Sequence, residues 1–140
     1  MTIESALYSY LSNKASITAL VSTRIYPQVG PDSADYPFIT YNVISESHDH
    51  AMQGATGLAN LSMQIDVWAE TIADRVDVSE ALRNALDGFT GNMGTENLNI
   101  RNCFLQNRAN FNESDGEGKT PAYRSSMDFS IWHVETVPTL

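Results

Sequence analysis

The chain has 140 residues and a 42% apolar share, enough for one domain with one ordinary core spanning residues 1–140. Seventeen acids stand against eight bases, a formal net charge of −9, and the bases comprise only Lys14, Lys119 and scattered arginines. Too few cations are present to neutralise a run of phosphates, which argues against nucleic-acid binding as the main role.

No apolar run approaches the roughly 20 residues of a membrane span. The opening MTIESALYSYL has no basic segment ahead of its apolar residues and carries Glu4, so it does not read as a secretory signal. The lone Cys103 excludes an intrachain disulfide and suits a reducing compartment. In a strand such a residue is a small buried hydrophobe, the alternative being a reactive thiol.

Residues 2–13 read as a helix capped by Thr2, with Ile3, Leu7, Tyr10 and Leu11 on one stripe. Ser16 is placed to cap a second short turn carrying Ile17, Leu20 and Val21. Arg24-Ile25-Tyr26 reads as a short strand stopped by Pro27, and residues 28–37, with Gly30 and Pro31, as a loop. Residues 38–45 form a strand with Ile39, Tyr41 and Val43 on one face. Residues 45–57 are polar and hold Gly54 and Gly57, a hairpin loop or a mobile excursion.

Residues 58–69 alternate cleanly. Leu61, Met63, Ile65 and Val67 point one way and Asn60, Ser62, Gln64 and Asp66 the other, so a slip of one residue would expose the whole apolar set. Trp68 places a large aromatic on the polar face. Thr71 then caps a helix whose stripe is Val78, Leu82, Ala85, Leu86 and Phe89, with Asp74 and Asp77 at the positive end of its dipole and Gly88 as its stop. Each buried stripe side chain contributes roughly 1.5–3 kcal/mol. Ordering the backbone costs about 1–2 kcal/mol per residue, so this helix needs the preceding strand as support.

Residues 91–94 read as a turn, 98–106 as a strand and 123–134 as a strand with Tyr123, Met127, Phe129 and Ile131 on one face. Between these last two, residues 107–121 are too polar and glycine-rich to pack a core and read as a long mobile hairpin tip; residues 135–140 read as a loose tail. The expected fold is α+β, a mostly antiparallel sheet of about four to five strands packed against two helices, with long hairpin loops.

Glycine-rich phosphate or dinucleotide motifs are absent, as are HExxH, CxxC and GxSxG patterns, and no local signature supports a catalytic triad. His48-Asp49-His50 is the one constellation with metal chemistry. In extended chain His48 and His50 share a face, and His133 or Glu46 could add a third ligand; the competing reading is two polar histidines in an exposed loop. Trp68 and Trp132 either cover the edge of their own core or anchor a subunit contact. Arg75, inside the apolar stripe, either snorkels or makes an ion pair across subunits. Arg108 and Phe111, in the second glycine-rich excursion, join Trp68, Arg75, His48, His50 and Trp132 as contact candidates.

Four segments occur in a characteristic order: IESALYSYLSNKASITALV, TRIYP, YPFITYNVIS and MQIDVWAETIADRVDVSEALRNALDGF. In that order and spacing the chain, up to Phe89, resembles the tail-completion or tail-terminator proteins of long-tailed bacteriophages and prophages; from Gly91 on it matches only loosely, as a β-hairpin. The resemblance implies a small α+β subunit without catalytic residues or cofactors. It implies a homo-oligomeric ring, commonly six-fold, in the virion tail or neck and assembled in the host cytoplasm. Such a ring ends growth of the tail tube and docks the head connector, its partners being the tube protein and the connector protein. DNA would pass nearby without specific binding, and an acidic surface suits such a passage. Another neck component, a connector or stopper, is the nearest alternative. A small metal-dependent enzyme using His48 and His50 is the alternative from another class, and a small-ligand binding domain has no pocket signature.

Overall fold

The computed structural model describes residues 2–30, 35–52, 54–95, 97–113 and 122–137. In chain order the elements are α1 (Ile3–Ser12), α2 (Ala15–Val21), β1 (Ile25–Pro27), β2 (Phe38–Ala51), β3 (Gly54–Ala69), α3 (Ile72–Leu86), β4 (Gly91–Met93), β5 (Leu98–Glu113) and β6 (Ala122–Val134).

The helices start where the chain offers caps. Thr2 Oγ1 accepts from Ser5 N at 3.2 Å, and Thr71 Oγ1 accepts from Asp74 N at 3.1 Å. The second turn is a true helix, but Lys14 occupies its N-cap position without a side-chain cap, and Ser16 lies inside the helix. At the end of α3, Gly88 takes φ +85° and donates its N–H to Cys103 O at 2.7 Å, tying the helix stop to β5.

The six strands form one sheet in the order β1-β2-β3-β6-β5-β4. β1 runs parallel to β2 and every other neighbour is antiparallel. The expected sheet of four to five strands on two helices is thus a mixed sheet of six on three helices. The added strand is β4, which falls on the expected turn: three residues suffice to pair Gly91 with Ile100 and Met93 with Leu98, and Met93 is fully buried.

One face of the sheet holds the core. Ile39, Tyr41, Leu61, Met63, Ile65, Val67, Ile100, Cys103, Met127, Phe129 and Ile131 pack there against Ile3, Leu7 and Leu11 of α1, Ile17 and Val21 of α2, and Val78, Leu82 and Leu86 of α3. The α3 stripe keeps Val78, Leu82, Ala85 and Leu86 and adds buried Ser79, whose hydroxyl donates to Val76 O at 3.1 Å, while Phe89, expected in the stripe, lies half-buried beyond the helix end. Tyr10 lies half-buried at the rim, its hydroxyl donating to Ala85 O at 2.7 Å and its ring edge-on to Phe89.

Cys103 is fully buried, and burial pushes its thiol up to about 12. The thiolate is therefore scarce at ordinary pH. Native protein at pH 8 is expected to resist alkylation by iodoacetamide for hours and to incorporate one label on denaturation, read by intact mass.

The polar stretch after Ser45 is not a loop over most of its length. β2 continues to Ala51 and β3 starts at Gly54, so the two strands project as a paired arm whose β2 residues from 44 onward are all exposed. Backbone pairing needs no apolar side chain, which is why an arm polar on both faces stays β. β5 likewise continues to Glu113, through most of the stretch expected as the start of a mobile tip. The centre of that tip, residues 114–121, and the end of the tail, residues 138–140, lie outside the described residues.

Candidate functional site

No described helix covers the second face of the sheet: every helical residue in the core packs on the other side. Register builds this open face from transverse rows. Phe38, Trp68, Arg124 and Phe111 form one row; Thr40, Asp66, Ser126 and Ala109 the next; Asn42, Gln64, Asp128 and Asn107 a third. Further rows bring Ser45, Ser62, Ser130 and Phe104 together, then Ser47, Asn60, Trp132 and Asn102. The face is polar and hydrogen-bonded at its centre, with a tryptophan near each end.

The first row is stitched within the chain. The Trp68 ring stacks on Phe38 at a centroid distance of 5.9 Å and donates its indole N–H to Thr40 Oγ1 at 3.2 Å. Tyr26 and Tyr36 also pack against Phe38. The Arg124 guanidinium lies 5.0 Å from the Trp68 ring and 5.4 Å from Phe111, and donates to Asp66 Oδ2 at 3.2 Å. Gln64 Nε2 bridges Asp66 and Ser126 at 3.2 and 2.9 Å. This network holds the aromatic rings in fixed positions while leaving Phe111 46% exposed.

Trp132 lies eight residues along β6 from Arg124, or roughly 27 Å at about 3.4 Å per residue. It lines a cleft of about 390 Å³ with Thr56, Gly57, Leu58, Arg101, Asn102 and Val134. Asn102 Oδ1 is buried there without a hydrogen-bond partner among the described residues.

Arg75 and Arg108 lie toward the helical side. Arg75 is half-buried on α3 and faces the Tyr123 ring of its own chain at 5.9 Å. Arg108 donates to Glu80 Oε1 at 2.7 Å, and that guanidinium holds the Glu80 carboxyl below its usual range. The structure thus joins Trp68 to Phe111 through Arg124, keeps Trp132 apart from them, and gives Arg75 and Arg108 partners within the chain.

His48 and His50 sit on the arm, two residues apart in β2. The ladder shifts register between them, with His48 opposite Ala59 and His50 opposite Ala55. Among the described residues His48 clusters with Glu46 and Glu135, and neither His50 nor His133 joins them. His48 Nδ1 lies 2.7 Å from Glu135 Oε1 and its Nε2 3.4 Å from Glu46 Oε1. The hydrogen bond to Glu135 raises the imidazole above its ordinary range. His133 is buried on the helical face, across Ala59 from His48.

Sequence reasoning singled out Trp68, Phe111 and Glu46 but missed Arg124 and Glu135. Arg124 becomes visible only once β6 is known to lie beside β3, in a register that sets it opposite Trp68. Glu135 comes to the arm because its backbone N–H donates to Gly57 O at 2.7 Å.

The same fold occurs in a chain of a solved structure titled "Virion of native gene transfer agent (GTA) particle", with a TM-score of 0.68 and 19% sequence identity over 96% of this chain and 95% of that one. No curated protein sequence matches this chain significantly. Residues 5–134 match a family of phage tail proteins, which makes this chain a structural protein of a phage-type tail, located in the virion tail. The family is described as Tail completion protein gp17, and the chain belongs to it. That match runs well past Phe89 and takes in β4, β5 and β6, where the sequence alone resembled the family only loosely.

Proposed function

We propose that this protein forms a closed ring, six-fold, at the head-proximal end of the tail tube, where it ends tube growth and joins the tail to the head connector. Family membership over residues 5–134 is the observation that carries this reading. A ring needs a heterologous contact, two different patches per subunit, whose rotation closes. The open sheet face with Trp68 and Phe111 at one end is one patch suited to such a contact, and the cleft beside Trp132 is another, because aromatics and arginine are enriched at interface cores. Arg75 and Arg108 lie toward the helices and His48 and His50 on the projecting arm, and all four are candidates for contact with the neighbouring subunit or the tube. The net charge of −9 favours DNA passage without adhesion.

The test is native mass of the purified protein, alone and after mixing with tail tubes and with head connectors. A ring of six that binds tube ends and prevents further addition of tube protein is the expected result. A strict monomer with no affinity for either partner would sink the proposal. Binding to connectors alone would assign the chain to another neck position.

A further inference from the structure

We propose that Glu46 and His48, with Glu135 behind them, form a binding site for one divalent transition ion of the zinc type. The tautomer follows from the chemistry of the partner. An ionised carboxylate only accepts, so His48 Nδ1–H is the donor in the 2.7 Å contact with Glu135 Oε1. In the neutral ring Nε2 then carries its lone pair toward Glu46, and two acceptor atoms face each other across 3.4 Å. Both side chains are exposed, so water reaches them, and a metal ion placed between them would take both as ligands.

The distances have room for a metal ion. A proton shared in a charge-assisted hydrogen bond draws nitrogen and oxygen to about 2.7–2.9 Å. Two ligands of one tetrahedral ion, each about 2.0–2.2 Å from the metal, stand about 3.3–3.5 Å apart. The Nε2 to Oε1 separation of 3.4 Å, an ordinary distance for an exposed ion pair, also accommodates two ligands of one ion. A carboxylate on the far imidazole nitrogen is the arrangement that orients metal-bound histidines and raises their basicity. All three ligand-bearing groups lie within 4.8 Å of one another.

Imidazole with carboxylate suits zinc, cobalt, nickel and copper better than magnesium or calcium. His48 and Glu46 are exposed, so water can fill the remaining coordination positions. Glu135 is held by its backbone bond to Gly57, so an ion here would clasp the segment after β6 to the β2–β3 arm. Nothing in this site depends on ring formation.

The test uses the full chain, titrated with Zn²⁺ by calorimetry at pH 7.5, and with Co²⁺ followed by its visible absorption. One ion per chain is expected. His48→Ala and Glu46→Gln should each weaken binding at least tenfold, Glu135→Gln about tenfold, and His50→Ala should leave it unchanged. The absence of saturable binding up to millimolar Zn²⁺ overturns the proposal. Binding that survives His48→Ala, or falls equally with His50→Ala, overturns it as well. Circular dichroism of the variants distinguishes loss of ligand from loss of fold.

Discussion

Replacing Phe129 with alanine is expected to destabilise the protein by about 3–5 kcal/mol, the range for emptying a large buried aromatic site. Phe129 is fully buried in β6 and is the largest side chain in that state. Register places it between Met63 of β3 and Leu105 of β5, with Val43 next in the same row, so the void would open in the middle of the sheet under the helices. Domains of this kind hold about 5–15 kcal/mol in total, so the change removes a large share of it. With a slope of about 2 kcal/mol per molar urea, the midpoint should fall by on the order of 2 M. Phe104 supplies the control. It lies on the open face opposite Ser130 and is half exposed, so Phe104→Ala should cost no more than about 0.5 kcal/mol. Equal losses for the two variants would show that the register of β5 and β6 is wrong.

Gly94→Ala is the second substitution with a large expected cost, about 2–4 kcal/mol. The residue takes φ +77°, a conformation that strains any side chain by about 1–3 kcal/mol. A Cβ there would also stand 2.9 Å from Ala6 O and 3.1 Å from Ala6 Cα, both backbone atoms of α1. Either α1 or the turn after β4 must move, and overpacking of this sort adds about 1–3 kcal/mol. Gly88 has a similar φ of +85° but open space around it, so Gly88→Ala should show the strain alone, about 1 kcal/mol. The difference between the two midpoints, measured by thermal or urea unfolding, reports how closely the β4 turn approaches the first helix. Identical midpoints would mean that α1 is free to shift.

The features read most directly from the sequence are those with one dry side. The alternation of Leu61, Met63, Ile65 and Val67 and the stripe of Val78, Leu82, Ala85 and Leu86 were legible because burial selects the residue type at each position. The arm from Ser45 to Gly57 and the distal half of β5 were not. Largely exposed among the described residues, they carry little such selection, and backbone pairing with a neighbour makes them strands. β4 was missed for its brevity: three residues with one buried side chain, Met93, show no alternation, and they owe their strand form to pairing with Leu98–Ile100.

The candidate site divides similarly. Trp68 drew attention because an aromatic on a polar face breaks a pattern. Its partners Phe38, Arg124 and Thr40 come from strands whose order in the sheet, β2-β3-β6, has no signature in any single segment. Glu46 was legible beside His48, but Glu135 reaches that group only through the pairing that brings the end of β6 beside Gly57, which sequence spacing cannot show.

The brevity of β1 and β4 has a consequence for what the subunit can become. β1 covers β2 only as far as Tyr41, and β4 covers β5 only at Leu98–Ile100. Gly88 and the Asp87 carboxylate, which accepts from Leu105 N at 3.0 Å, extend that cover as far as Leu105. Beyond these points both flanks of the sheet have no neighbouring strand among the described residues, one flank along Asn42–Ala51 and the other along residues 106–113. Bare strand edges are templates for further strands. The exposed stretches, SESHDH on one flank and QNRANFNE on the other, are rich in polar and charged residues, which disfavour indiscriminate stacking. Each copy is thus able to accept a strand at two opposite borders while resisting uncontrolled fibre growth.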